Sequence, residues 1–376
     1  MESMRELNRR VFSGEPLPRV FFQPRMEPWY EWHRRFGKLP EQFRAMSLPE
    51  FFDYLGVSMR YTHYYTGRPS PIERRLGPEV KVRHEDGADE RRVIHLTPLG
   101  ELVELQRRTL DGAWRRVEFP VKGTEDLKKL AAFCRHATYH FSLAKFQEGS
   151  DFIGERGEPQ FFLPHSPYQA LLYDYMRHED FFCALFEAPE EITEAMRAID
   201  ESFDPLYEEV AKCGRVKIVN FGENLHGQLS PPAQFEEHLL PFYEKRSNQL
   251  RRAGIFTHVH IDGGAKPLLK YLKDLPFDGL EALTPKPQGD VTLEELKEHC
   301  GSKVLLDVLP AVMFLEDFTR EQLMRQVEET VRLFHPRLVL GVSDEVPEGG
   351  GLEAAERVRL IAQWILRREA GPLERK

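Results

Sequence analysis

The chain has 376 residues, 41% hydrophobic and 30% charged, the balance of a folded globular protein. A net charge of −9 without a long basic run argues against a dedicated nucleic-acid binder, and no apolar stretch reaches the ~18 residues of a membrane span. Met1 to Arg10 mix charges of both signs with no apolar core, so no secretory signal is expected. Cys134, Cys183, Cys213 and Cys300 lack CxxC spacing, which points to free thiols in a cytoplasmic protein rather than a disulfide framework or structural zinc module.

In chain order, residues 19–23 (RVFFQ) read as a first strand, and the unusually aromatic stretch after it, to His33, reads as a loop. Residues 48–55 begin an aromatic-rich helix. Between 79 and 121 polar and apolar residues alternate, broken by turn signals at Asp86-Gly87 and Asp111-Gly112, the pattern of an antiparallel ribbon. Helices resume from Thr124, with 161–164 as an inner strand.

The second half is more regular. Residues 216–223 (VKIVNFGE), 255–263 (IFTHVHIDG), 279–284, 303–308 (KVLLDV) and 337–343 (RLVLGVS) read as strands, each followed by a helical segment. The helix at 234–252 follows Ser230-Pro231-Pro232 and ends at Gly254; Thr292 with Glu295 and Thr319 with Gln322 have capping-box spacing. A helix over 352–366 closes the series. Right-handed crossovers turn such a series into a parallel sheet, and the lack of a GxGxxG turn favours a barrel over a dinucleotide-binding sheet. The expected fold is α/β: a (β/α)8 TIM barrel forming a single domain over 1–376, with the antiparallel β-ribbon of 79–121 inserted in its N-terminal half.

Barrel enzymes place their chemistry at the carboxyl ends of the strands. That rule selects Glu223, His258, His260, Asp262, Glu281, Asp307 and the pair Ser343/Asp344. His258, His260 and Asp262 alternate with apolar Val259 and Ile261, so all three share one strand face. With Glu281 they offer the nitrogen and oxygen donors of a catalytic zinc; alternatively His258 is a core histidine and Asp262 a helix cap. Glu223 is either catalytic or a capping loop carboxylate, and Asp307 is a base, an outer partner to a ligating histidine, or a cap. Arg25, Trp29, Tyr30 and Trp32, on a loop above the mouth, would grip a planar or acidic ligand; the other reading is a packed lid or dimer contact.

Taken together, these residues resemble the uroporphyrinogen decarboxylase superfamily of decarboxylases and corrinoid-linked zinc methyltransferases. The resemblance is carried by Leu229-Ser230-Pro231, Phe235, Leu240-Pro241, His260-Ile261-Asp262-Gly263, Asp290 with Leu293, Asp307-Val308-Leu309-Pro310, and the ribbon-to-helix passage over 109–127. The sequence departs from both branches. Where true decarboxylases carry an arginine-rich RQAGRY-type motif, it reads Gln23-Pro24-Arg25-Met26-Glu27-Pro28, and Glu27 is poorly placed to grip an octa-acid. Where methyl-transferring members use His-x-Cys, it has His260-Ile261-Asp262, and Val342, Ser343 and Asp344 stand where a second cysteine is expected.

The resemblance therefore implies a metal-dependent methyltransferase of the O-demethylating kind. His260, Asp262, Glu281 and His258 would be the ligand candidates for Zn²⁺, a harder donor set than thiolates, suited to polarising an ether oxygen. Asp307, Asp344 and Glu223 would serve as acid, base or supporting carboxylates. The methyl group of a small methylated, methoxyaromatic-type substrate would pass to a corrinoid on a partner protein. Two alternatives stand beside it: a cofactor-independent decarboxylase of a porphyrinogen-like or smaller acid, held by Arg25 and protonated by Asp307 or His260, and a non-catalytic binding barrel. A homodimer is compatible with all three.

Overall fold

A computed structural model describes residues 2–109 and 112–369. In chain order the strands are β1 (Phe21–Phe22), β2 (Ile72–Leu76), β3 (Lys81–Asp86), β4 (Glu90–Thr97), β5 (Gly100–Arg108), β6 (Trp114–Glu118), β7 (Ala137–Phe141), β8 (Phe162–Leu163), β9 (Ile218–Phe221), β10 (Phe256–His260), β11 (Gly279–Glu281), β12 (Val304–Leu306) and β13 (Leu338–Leu340). The residues cluster into two compact units: 1–71 with 143–163 and 214–376, and 72–142 with 164–213.

The first unit holds a parallel sheet, seven-stranded among the described residues, in the order β1-β13-β12-β11-β10-β9-β8. Its strands are short, and every residue of β9, β11, β12 and β13 is buried. Burial on both faces explains why these segments read as near-continuous apolar runs. Residues 58–62 make backbone hydrogen bonds towards both edge strands. Ser58 N donates to Phe22 O (3.1 Å), Thr62 N to Gln160 O (2.9 Å), and Gln160 N to Arg60 O (3.0 Å).

Three N-terminal helices pack on this sheet's unit: α1 (Met4–Ser13), α2 (Glu27–Arg35) and α3 (Leu48–Leu55). In α1, Leu7 and Val11 are four apart, Phe12 follows Val11, and the three form one apolar face. That face joins Phe21, Ile218, Val304, Leu306 and Val339 in a single core cluster. Each such side chain contributes roughly 1.5–3 kcal/mol when fully buried. A capping box between Ser47 and Glu50 starts α3, and Gly56 (φ 72°) ends it in the left-handed conformation.

Later helices start where capping residues stand. Thr292 with Glu295 caps Leu293–His299, and Thr319 with Gln322 caps Arg320–Phe334. The helix expected over 234–252 is interrupted by a π turn at Phe235–Leu239 before Leu240–Arg252 continues. Pro241 has no N–H to continue the ladder, which accounts for the wider turn. The segment that follows β10 is 3₁₀-helical over Lys266–Asp274.

The second unit contains the antiparallel ribbon as a four-stranded sheet, β3-β4-β5-β6, together with the antiparallel pair β2-β7. Gly87 N donates to Glu90 O (2.8 Å) at the first expected turn. Of the second, Asp111 lies outside the described residues. Val93, His95 and Leu102 share a buried face of β4 and β5, and the His95 ring meets Phe133 of helix Thr124–Arg135 (5.1 Å, 89°). No described helix is long and apolar enough to cross a membrane.

Candidate functional site

The strand ends of the first unit converge on a buried polar hub centred on Arg60. Its guanidinium is 1% exposed and bonds four oxygens. Nε donates to Gln23 Oε1 (2.8 Å), Nη1 to Glu281 Oε1 (2.9 Å) and Asp307 Oδ2 (2.6 Å), and Nη2 to Asp307 Oδ1 (2.9 Å). Glu281 also accepts from the Tyr61 hydroxyl (2.9 Å) and from Asn220 Nδ2, which reaches the Tyr61 oxygen as well (2.7 Å). Multiple charge-assisted bonds of this kind are what make a buried ion pair tolerable.

The backbone is shaped for this hub. Ala282, Asp307 and Asp344 follow β11, β12 and β13, and all adopt positive φ (61°, 55° and 64°). Each is a non-glycine residue in the left-handed region, a strain of order 1–3 kcal/mol that tends to gather at functional sites. Gly341 completes the fit, because a Cβ there would come within 1.9 Å of Asp307 Oδ1.

Arginine only donates, so its bonds fix the orientation of the amides behind it. Gln23 Oε1 accepts from Arg60, so Gln23 Nε2 faces Met59 O (2.7 Å), Ser58 Oγ (2.9 Å) and Asn8 Oδ1 (3.4 Å). Gln160 Nε2 also donates to Asn8 Oδ1 (3.4 Å), which leaves Gln160 Oε1 to accept from His258 Nε2 (2.8 Å). His258 therefore carries hydrogen on Nε2, and its Nδ1 turns towards Glu281 Oε2 (3.1 Å) without an aligned hydrogen bond.

His260, one step further along β10, lies nearer the solvent. Its Nδ1 is 3.8 Å from Glu281 Oε2 and its Nε2 is 3.9 Å from Asp344 Oδ1. Burial favours the neutral ring, but Glu281 and Asp344 on either side outweigh it and hold His260 above the ordinary histidine value. For His258 burial wins, and its pKa is lowered. Burial also pushes Asp307 up to about 7 against the pull of Arg60, and opposes the ionisation of Glu281. The imidazoles and Arg60 nevertheless keep Glu281 well below the usual range. The carboxylates on Arg60 thus divide into one firmly charged and one that titrates near neutrality.

Arg25 forms the outer rim. Nη1 donates to Asp344 Oδ1 (2.9 Å), Nη2 is 3.9 Å from Glu345 Oε2, and the guanidinium lies 4.9 Å from the Tyr64 ring centroid, 5.4 Å from Tyr61 and 5.9 Å from Phe162. Nε has no hydrogen-bond partner among the described residues. Glu27, buried two residues further on, is pushed up to about 7 by desolvation.

The expected site residues thus separate. The structure brings His258, His260, Glu281, Asp307, Asp344 and Arg25 together. Glu223 is buried and accepts the Tyr243 hydroxyl (3.1 Å). Asp262 is exposed, because β10 ends at His260 and the alternation does not continue past it. The loop expected at Trp29, Tyr30 and Trp32 is instead helix α2. Trp29 is fully buried, stacked on Phe51 (5.5 Å, 6°), with its Nε1 bonded to Gly351 O (3.1 Å); the Tyr30 hydroxyl bonds Met46 O (2.5 Å), and Trp32 lies beside His33 and Phe36. The Trp29 and Tyr30 rings pack the core, and Trp32 is half-buried. Tyr61, Tyr64 and Phe162 are the rings that lie against Arg25. Arg60, Tyr61 and Asn220 were missed by sequence reasoning. The signal for the first two was positional, since Gly56 ends α3 and the next residues are due to be a strand.

Zinc, which the resemblance implies, fits these residues poorly. Among the described residues no group of three or more His, Cys, Asp or Glu side chains is placed to hold a metal ion. Asp262 is exposed, none of the cysteines stands at a strand end of the parallel sheet, and both Glu281 oxygens already take protein donors, one of them cationic.

Residues 166–357 match the uroporphyrinogen decarboxylase (URO-D) family, just over half of the chain. The chain belongs to the URO-D family. Among solved structures it is similar to a methyltransferase from Methanosarcina mazei, with 12% identity, 96% of this chain and 98% of that one covered, and a TM-score of 0.57. It is similar at a lower level to a B12-independent methionine synthase from Shewanella sp. W3-18-1 (14% identity, 88% and 92% covered, TM-score 0.40). No curated protein sequence matches. For this URO-D family member, the first structure supports the α/β fold with its parallel sheet.

Proposed function

We propose that residues 58–62 are the eighth strand of a (β/α)8 barrel, and that the chain is a methyl-transfer enzyme acting at the barrel's strand ends. Family membership and the architecture shared with a methyltransferase support this class. The observation that carries the chemistry is His260, a ring 8% exposed between the carboxylates of Glu281 and Asp344. It is poised as a proton donor that shares Asp344 with Arg25, whose guanidinium lies against Tyr61, Tyr64 and Phe162.

The substrate class is a small methoxyaromatic. When its O–CH3 bond breaks, the methyl leaves without the bonding electrons. The oxygen keeps that pair and takes the proton from His260, whose charged form the neighbouring Glu281 and Asp344 favour. Arg25 orients the substrate from the rim. A corrinoid on a separate protein is the acceptor, supplying when bound the electron pair that takes the methyl group.

The test is phenol release from methoxybenzoates in the presence of a corrinoid protein. Replacing His260 with Ala is expected to slow it by about 10²–10⁴-fold, the usual contribution of a positioned acid. An unchanged rate would sink the proposal.

A second reading, decarboxylation of a small acid, is favoured by one observation: the partnerless Nε of buried Arg25. Glu27, protonated below about 7, does not repel an acid there. Here the proton from His260 goes to the carbon that loses CO₂. Release of CO₂ without any methyl acceptor distinguishes this from methyl transfer.

A further inference from the structure

The hub poses a charge question. Glu281 and Asp307 are fully buried, and a buried carboxylate requires a positive partner. Barrel enzymes often meet this need with a divalent metal held by strand-end carboxylates. Here the cation is part of the chain.

We propose that Arg60 is the resident cation of this site and excludes a divalent metal from it. Three side chains from three strand ends (Gln23, Glu281 and Asp307) give the guanidinium four oxygen contacts between 2.6 and 2.9 Å. That is an all-oxygen cage of hard donors, the set that otherwise suits Mg²⁺ or Mn²⁺. The cage is built rather than incidental. Asp307 reaches its place only because residue 341 is glycine, and Gln23 is locked in turn by Ser58 and Met59. Unlike a metal, the guanidinium offers no open coordination position. It therefore acts by positioning, holding Glu281 where both imidazoles face it, while any Lewis-acid role falls to a group outside the cage.

The inference rests on the strand ends being the reactive site, but its test reads the cage directly, so it stands or fails independently of any activity assay. The full-length protein is titrated with Mn²⁺ by calorimetry and electron paramagnetic resonance, after its metal content as purified is measured. The wild type is expected to hold no stoichiometric divalent ion. Arg60→Ala, which leaves two carboxylates and an amide oxygen around a cavity, is expected to bind one Mn²⁺ at least about 100-fold more tightly than the wild type, because ligand charge is no longer neutralised. Arg60→Lys keeps a cation and is expected to stay metal-free, an outcome that simple loss of packing would not produce.

Two results would overturn the proposal. One is stoichiometric metal in the wild type that Glu281→Gln removes. The other is a folded Arg60→Ala protein, by circular dichroism, that binds no Mn²⁺. The first arm needs no variant of Arg60, so the proposal stays testable even if Arg60→Ala does not fold.

Discussion

Around Trp29, α2 and α3 bury aromatic rings against one another; around Arg60, the ends of the strands bury charge against charge. Both clusters lie in the same unit and both exclude water, yet they are built on opposite terms. The aromatic cluster gains free energy from every contact: Trp29 on Phe51, and Phe43 edge-on to Phe51 (5.0 Å, 70°). The charged hub begins with a desolvation cost and recovers it only through ideal pairing. The first cluster exists because it stabilises the fold. The second requires strained strand ends and a glycine at 341 to assemble, which is the arrangement of a functional centre.

The largest way to sharpen this contrast is truncation of the aromatic cluster. Trp29→Ala is expected to cost about 3–5 kcal/mol in urea unfolding while leaving the folded fraction's activity intact. Loss of activity without loss of stability would return Trp29 to the binding site expected from sequence.

A smaller effect tests the cost of buried charge. Glu27 is raised from 4.5 to about 7 on folding, so the folded state prefers its neutral form. Its stability contribution is complete below pH 4.5 and is lost as pH rises through 7. Unfolding measured at pH 5 and pH 8 should show the protein weaker at the higher pH. Glu27→Gln should remove on the order of 3 kcal/mol of that difference. A wild-type profile that rises over this interval would show that Glu27 is paired rather than desolvated.

Much of the fold was legible. Capping pairs at Thr292 and Thr319 and the run of strand–helix units mark elements that form from local sequence. The site was legible where a polar residue interrupts an apolar strand end, as at His260, Glu281 and Asp307. It was illegible where long-range contacts decide. Asp262 obeys the alternation of its neighbours but falls beyond the last residue of β10. Trp29 and Tyr30 look like a binding wall until α3 is seen to cover them. Arg60 carries no motif; it becomes the centre of the hub only because four oxygens from distant parts of the chain meet it.

His260 and His258, two residues apart on one strand, are shifted in opposite directions from the ordinary histidine value by where they sit. Titration of both imidazoles by ¹H–¹⁵N NMR, with His258→Gln and His260→Gln for assignment, tests this directly. His260 is expected to titrate above the ordinary histidine value of 6.5 and His258 below it. The reverse order, or a His260 that is neutral throughout the neutral range, would contradict it.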